Sequence, residues 1–160
     1  MTTREDLVDG LKMILREGER STSTFAPEDW KKQVYDDEGG GWNRKQVYGH
    51  ITAIAEITPS LTPNLASVPE GGDAGAGIDI NALNAQLVAA KDQLSESELM
   101  DTFKAAYENL IKFVQEMPDE QLEAQTTFGA ISGSVADVVD SLIVLHGIAH
   151  IYSAGGSAAG

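Results

Sequence analysis

The sequence predicts an all-α protein, and specifically a four-helix bundle, from three observations. Four stretches carry apolar residues at intervals of three and four, three positions have the spacing of a helix capping box, and convincing strand-like alternation is absent. With 160 residues, 42% of them apolar, the chain is large enough to fold around one core without disulfides. We therefore expect one domain over residues 1–154 and a flexible tail at 155–160.

The first helix is predicted to begin at Thr3, which has capping-box spacing to Asp6. Gly18 and the polar residues after it are expected to end the helix. The apolar face between these ends is formed by Leu7, Val8, Leu11, Ile14 and Leu15.

The second helix is predicted to begin near Asn43 and to end at Pro59 and Pro63, because proline cannot continue a helix. Its inner face consists of Val47, His50, Ile51, Ile54 and Thr58. Residues 61–79 then show no periodicity and are rich in proline, glycine and alanine. A connection of this length is typical of a crossover between helices or of a functional loop.

The third helical region runs from Ile80 to Met117, with a break expected near Ser95, where a second capping box begins. The fourth helix starts at Ser134 and carries its apolar stripe to His150. The long 61–79 connection permits helices 2 and 3 to run parallel, whereas the other links are ordinary reversals. The predicted order is up-down-down-up, which places the start of helix 2 and the end of helix 4 at the same end of the bundle.

Charge and composition limit the function classes. Acidic residues number 25 against 11 basic residues, and the net charge of −14 disfavours nucleic acid and anionic membranes as partners. The apolar segment 135–154 is interrupted by two aspartates and two histidines, so we interpret it as a buried helix. Without cysteine there is no catalytic thiol. No signal peptide is visible, and we expect a cytoplasmic protein that acts on a small molecule.

The three histidines of the chain predict a metal site. His146 and His150 are four residues apart, which places both rings on one face of a helix, and His50 lies on the inner face of helix 2. Three imidazole nitrogens can hold a divalent ion with open positions. The alternative is that the histidines are hydrogen-bonded core residues, but burying three imidazoles without partners is unfavourable.

Other residues near the predicted site have two interpretations each. Arg44 and Lys45 either attract an anionic substrate or are ordinary solvent-exposed surface residues. Glu56 lies off the helix face that carries His50, so we do not expect it to be a metal ligand. Three aromatic residues either line a pocket at the histidine end or pack in the interior. These are Trp30, Trp42 and Tyr48.

Several motifs resemble one known family. Residues 41–51, Gly-Trp-Asn-Arg-Lys-Gln-Val-Tyr-Gly-His-Ile, resemble the entry to helix 2 in the DinB-like superfamily, in the branch that contains mycothiol-dependent maleylpyruvate isomerases. Residues 78–88 resemble the start of helix 3 in that branch, and residues 98–122 resemble its continuation. The stretch 146–150 matches the paired-histidine helix. The resemblance extends over nearly the whole chain, to about Ser153.

The resemblance implies a four-helix bundle that binds a divalent ion, often zinc or nickel, through His50, His146 and His150. It also implies a homodimer, and in several members a low-molecular-weight thiol is the cosubstrate. One departure is Gly147, because many relatives carry an acidic residue directly after the first histidine of the pair. The departure removes a candidate acid–base group.

Three functions follow as hypotheses. The leading one is a thiol-dependent transferase or isomerase, because a divalent ion held by neutral imidazoles lowers the pKa of a bound thiol or water. The second is hydrolysis by metal-bound water at the same site. The third is a non-enzymatic, stress-related module whose metal site is vestigial or whose histidines belong only to the core.

Overall fold

The structure is a computed structural model that describes residues 1–37 and 40–155. It is predominantly helical, as the sequence predicts, with one small antiparallel sheet. Of the predicted tail 155–160, Gly155 is described and the other positions lie outside the described residues. Residues 125–134 fold into a hairpin that the sequence pattern did not indicate.

The elements follow one another in a simple order. The main helices are α1 (Arg4–Thr22), α2 (Arg44–Ala66), α3 (Ile80–Lys91) and α4 (Glu96–Glu116). A short helix α5 (Asp119–Glu123) and strands β1 (Gln125–Phe128) and β2 (Ile131–Ser134) come next. The last helical stretch consists of α6 (Val135–Val139), a π-helical segment (Asp140–Leu145) and α7 (His146–Ser153).

The helix starts form through local side-chain bonds, as the sequence spacing predicts at Thr3, Ser95 and Ser134; the box at Asn43 was not predicted. Three starts have reciprocal capping boxes, in which the cap side chain accepts from a backbone N–H and the third helical residue accepts from the cap N–H. These pairs are Thr3 with Asp6, Asn43 with Gln46, and Ser134 with Asp137. At the predicted break, the Ser95 hydroxyl accepts from the Glu98 N–H, and α4 begins directly after it.

Helix α2 continues past both prolines to Ala66, so the predicted end at Pro59 and Pro63 is wrong. Within this part of the helix the hydroxyls of Thr58 and Thr62 donate to carbonyls four residues earlier, at 2.7 and 2.8 Å. Both threonines are buried. Burial of this face against the core outweighs the local cost of the prolines, and the irregular connection shortens to residues 67–79.

Contacts at the helix ends fix how α1 lies against the last helical stretch and α4. The N–H of Thr2 donates to the Asp137 carboxylate at 2.7 Å, beside the start of α6. The Arg4 guanidinium donates to the carbonyl of Val114, near the end of α4. Further along α1, a Cβ on Gly10 would lie 2.6 Å from Val144, so the absent side chain permits a close approach of the two helices.

The stretch Val135–Ser153 is long and apolar enough, by length and composition, to cross a membrane. The core helix of a soluble protein passes the same test, so this property alone is weak evidence. Here the stretch packs against α1 and α2 and contributes buried residues to the core. It also carries two of the three histidines.

Candidate metal centre

The structure brings all three predicted histidines together. His50 lies on α2 and is 1% exposed, while His146 and His150 lie one turn apart on α7. One ring nitrogen from each residue falls within 4.8 Å of the others. The ring centroid of His50 is 5.1 Å from that of His146 and 4.9 Å from that of His150. The cluster therefore joins α2 to α7, as the expected helix order requires.

The π-helical segment before α7 orients the His146 ring. The backbone N–H of His146 donates to the Ile143 carbonyl, three residues earlier. The Leu142 carbonyl, four residues before His146, lies 3.2 Å from Nδ1 of the His146 ring. A carbonyl only accepts hydrogen bonds, so Nδ1 carries the hydrogen and Nε2 of the neutral ring keeps its lone pair. This arrangement is typical of metal-binding histidines.

His150 is held between a tyrosine and the other histidine of its helix. The hydroxyl of Tyr35 lies 2.7 Å from Nδ1 of His150. On the other side of the ring, Nε2 lies 2.7 Å from Nε2 of His146. Tyr35 thus supports His150 from outside the cluster, a role that the sequence did not predict.

The segment between α1 and α2 places two aromatic rings on the cluster. Its two arms pair through an antiparallel bridge between Gln33 and Asn43, and the N–H of Val34 donates to the Trp42 carbonyl at 2.8 Å. The Trp42 ring centroid lies 4.8 Å from that of His50. Of the two interpretations left open for Trp42, the structure thus favours a position at the histidine end.

Burial keeps the three rings neutral. Desolvation, followed by the charges of the other two histidines, lowers the pKa of His50 to about 3. Desolvation, with a smaller effect of His146, lowers the pKa of His150 to about 4, and burial also lowers the pKa of His146. Neutral imidazole is the form that binds metal ions.

His50 also has a ring nitrogen that the protein does not use. Its Nδ1 is buried and has no hydrogen-bond partner within residues 1–37 and 40–155. An unpaired buried polar atom is unfavourable unless something else satisfies the ring. The donor set, the protonation state and this unpaired ring together fit a divalent cation.

The remaining candidate residues have structural roles. Arg44 lies over the Phe25 ring at 4.8 Å, and Lys45 donates to the Asp92 carbonyl at 3.1 Å. Glu56 pairs with Lys91 at 2.7 Å and is no part of the cluster. Two aromatics that the sequence left open, Trp30 and Tyr48, pack against each other and against Phe25 in the interior.

Gly147 faces the core rather than the cluster. A Cβ at this position would lie 2.9 Å from Cδ1 of Ile14 on α1 and 3.7 Å from the Tyr107 hydroxyl. A side chain here would therefore point between α1 and α4. The prediction that Gly147 removes an acid–base group from the site is not tested by this contact and stays a prediction.

A cavity of about 370 Å³ adjoins the cluster, with His146 as part of its wall. It lies between the middle of α2, the start of α3, the hairpin turn and the π-helical segment. The connection 67–79 is tied to the hairpin, because the Ala74 N–H donates to the Thr127 carbonyl and the Asp73 carboxylate accepts from Gly129. The sequence did not predict this cavity, since its walls come from four distant segments.

Comparisons with known proteins show a likeness in fold. No family model matches the sequence, and no curated protein matches it. The structure is similar to the crystal structure of the mycothiol-dependent maleylpyruvate isomerase, with a TM-score of 0.73 and 12% identity over 96% of this chain and 61% of that chain. It is also similar to a histidine-to-alanine mutant of that isomerase, with a TM-score of 0.67 and 10% identity over 91% of this chain and 60% of that one.

At these identities the likeness concerns the fold alone, and this chain spans about three fifths of the isomerase's length. The isomerase branch that the sequence motifs resemble is thus matched in fold. Membership of the wider DinB-like superfamily stays a prediction.

Proposed function

We propose that His50, His146 and His150 bind one divalent metal ion, zinc or nickel, and that the chain is a thiol-dependent transferase or isomerase. The observation that carries this proposal is the convergence of three neutral imidazoles, within 4.8 Å of one another, beside a cavity of about 370 Å³. Cavities of roughly 300–1,000 Å³ are typical of small-molecule sites. A purely structural histidine cluster would not need an adjoining cavity.

When bound, the ion supplies Lewis-acid chemistry and lowers the pKa of a thiol or water that shares the site. The chain's own residues prepare that site. The Leu142 carbonyl fixes the tautomer of His146, Tyr35 holds the outer nitrogen of His150, and Trp42 covers one face of His50. These contacts restrain the positions of the rings before a ligand arrives.

The use of a thiol is supported by the likeness in fold to an isomerase that depends on mycothiol. The chain has no cysteine, so a sulfur nucleophile has to come from a small molecule. The apolar cavity beside His146 provides space for a second, organic substrate. These two features together favour a reaction between a thiol and a small electrophile over simple metal storage.

We also propose that α1, α2, α4 and the stretch Val135–Ser153 form an up-down-down-up four-helix bundle of the DinB-like type. The support comes from residue pairs that advance in the same direction along two neighbouring helices. Gly10 faces Val144 and Gly147 faces Ile14, which indicates parallel α1 and α7. Tyr107 of α4 donates to the Ile51 carbonyl of α2. A cytoplasmic homodimer completes the proposal, and the net charge of −14 supports the absence of nucleic-acid and anionic-membrane partners.

The decisive experiment is elemental analysis of the protein purified without a histidine tag. We expect about one zinc or nickel ion per chain, and loss of that ion in the His150→Ala variant. Glu56→Gln is the matched control, because Glu56 is a neighbouring acidic group that pairs with Lys91 instead. Absence of metal from the wild-type protein, even after incubation with zinc or nickel, contradicts the proposal.

The reaction class is tested by turnover of 1-chloro-2,4-dinitrobenzene and carboxylic esters with and without glutathione, cysteine or mycothiol. A thiol-dependent enzyme consumes the chlorinated probe only when a thiol is present, and His150→Ala abolishes this turnover. Ester cleavage that is indifferent to thiols identifies the hydrolase of the second hypothesis. Metal binding without turnover of either probe supports the non-enzymatic module.

A further inference from the structure

The cavity beside His146 has walls without charge. Most of its lining comes from branched aliphatic and aromatic side chains, and its polar contributors are Thr58, Asn84 and His146. No lysine, arginine, aspartate or glutamate of the described residues lines it. A carboxylate or phosphate placed there would lose its hydration without gaining a cationic side chain as a partner, which is strongly unfavourable.

Basic side chains at the neighbouring helix ends do not provide such a partner. Lys91 pairs with Glu56, Arg44 lies over Phe25, and Lys45 donates to the Asp92 carbonyl. The net charge of −14 adds a long-range repulsion of anions. Apart from an ion bound at the histidines, both the side chains of the cavity and the net charge therefore select against an anionic ligand.

Two apolar side chains at the mouth of the cavity remain in contact with water. Ile78 is 39% exposed and Ile80 is 43% exposed, and both line the cavity at the start of α3. The exposed hairpin turn contributes Gly129 and Ala130 to the lining of the same cavity. Exposed apolar groups around a concave site are typical of a surface that an apolar ligand covers.

We infer that this cavity is the binding site for an uncharged, predominantly apolar organic molecule, which is the second substrate of the proposed thiol-dependent reaction. The inference rests on the proposed function for the role of that molecule, but its binding needs no metal. The ligand enters between Ile80 and Ala130 and reaches the ring of His146 at the inner wall. The three histidines and the cavity are then two halves of one site.

A matched pair of fluorescent probes tests the charge preference. N-phenyl-1-naphthylamine is uncharged, and 8-anilino-1-naphthalenesulfonate has the same ring system with an added sulfonate. Titrated into the metal-free full chain, the uncharged probe is expected to bind at one site with a Kd at least about tenfold lower than the anionic probe. Equal or tighter binding of the anionic probe overturns the inference.

Two variants at the mouth test the location. Ile80→Asp places a carboxylate in the first turn of α3, where a helix tolerates it, and is expected to weaken binding of the uncharged probe by about fivefold or more. Ala130→Trp is expected to block the mouth and produce a similar loss. Met13→Asp is the matched control, since Met13 is 37% exposed on α1 and does not line the cavity.

The link to the histidines is tested by NMR on the metal-free protein. Binding of the uncharged probe is expected to shift the ring signals of His146, and the Ile80→Asp variant is expected to remove this shift. Unchanged ring signals at saturation, or unchanged probe affinity in both mouth variants, overturn the inference. So does a dimer in size-exclusion chromatography that Ile80→Asp dissociates, because the face then binds a second copy of the chain.

The failure of this inference and the failure of the proposed function are distinguishable. If the protein binds no metal but takes up the uncharged probe next to His146, the apolar binding site is supported and the metal-dependent reaction is rejected. If it binds one metal ion and the probes bind elsewhere, the metal centre is supported and the assignment of an uncharged, apolar substrate is rejected.

Discussion

The Nε2 atoms of His146 and His150 lie 2.7 Å apart, too close for two lone pairs to face each other without a hydrogen or a cation between them. Nδ1 of His146 carries a hydrogen towards the Leu142 carbonyl, so Nε2 of this neutral ring is an acceptor. In the metal-free protein, His150 must therefore donate from Nε2, and its Nδ1 accepts from the Tyr35 hydroxyl.

Metal binding is expected to reverse the tautomer of His150. A cation takes the Nε2 lone pair, so the hydrogen moves to Nδ1 and the Tyr35 hydroxyl becomes the acceptor. Long-range proton–nitrogen NMR spectra of the imidazoles, recorded before and after addition of zinc, distinguish the two tautomers. An unchanged His150 tautomer in the zinc-loaded protein contradicts coordination through Nε2, and the ring of His146 serves as the internal reference.

Replacing Tyr35 by phenylalanine is expected to weaken metal binding. The substitution removes the hydroxyl beside His150 and keeps the ring contact with Trp42. Loss of such a supporting hydrogen bond typically lowers metal affinity by about 10–100-fold. Competition with a chelator measures the affinity. The control is Tyr152→Phe, since Tyr152 is on α7 and largely exposed, and equal affinities in the two variants rule out a supporting role for Tyr35.

Acid is expected to destabilise the metal-free protein through its histidines. The pKa of His50 is lowered from 6.5 to about 3 in the folded chain, and that of His150 to about 4. Between pH 6.5 and these values the unfolded chain binds protons that the folded chain does not. The free energy of unfolding is therefore highest above about pH 6.5 and falls as the pH decreases.

Comparison with His50→Gln isolates this contribution. The variant keeps the carboxylates of the chain but removes the buried imidazole. Between pH 7 and pH 4 its free energy of unfolding is therefore expected to fall by roughly 3 kcal/mol less than that of the wild type. Urea denaturation in the presence of a chelator gives both curves. Parallel curves for wild type and variant indicate that His50 titrates normally in the folded protein.

Gly147→Ala is expected to destabilise the protein by no more than about 1 kcal/mol, because the new methyl group overlaps only the flexible end of the Ile14 side chain and alanine favours the helix. The substitution Ile14→Val removes Cδ1, the atom that would lie 2.9 Å from the alanine Cβ, so the double variant should recover part of the loss. Urea denaturation of the two single variants and the double variant measures the coupling. Strictly additive effects contradict the contact, and Ser153→Ala on the exposed side of α7 is the control.

The sequence was most informative where local chemistry determines the structure. The capping pairs Thr3 with Asp6 and Ser134 with Asp137 mark helix starts because the bonds that form them span three residues. The convergence of His50 with the histidines of α7 was predictable for a different reason. Two residues four apart share a helix face, and the helix order places His50 at the same end.

The departures have tertiary causes. Helix α2 passes Pro59 and Pro63 because its buried face, which includes Thr62 and Leu65, stabilises a helix that local propensity disfavours. The hairpin strands are four residues long, too short for alternation to be recognised. Its two-residue turn begins with Gly129 at a φ of 60°, so the glycine was the available signal.

Tyr35 was missed because nothing in its neighbourhood is periodic and its partner lies 115 residues away. The cavity was missed for the same reason, since it exists only after α2, α3, the hairpin and α7 have been assembled. A single sequence identifies ligands that share a helix face more readily than the groups that orient them.

A π-helical turn contains one residue more than an α-helical turn, and here it lies between the anchored start of α6 and the paired histidines. If the same residues were wound as a regular α-helix, all of α7 would be rotated by roughly 100° about its axis relative to α6. Both histidines would keep their mutual spacing, yet they would turn away from His50 as a unit. The paired-histidine motif is thus a sound marker of this centre only when the wide turn between Ser134 and His146 is preserved as well.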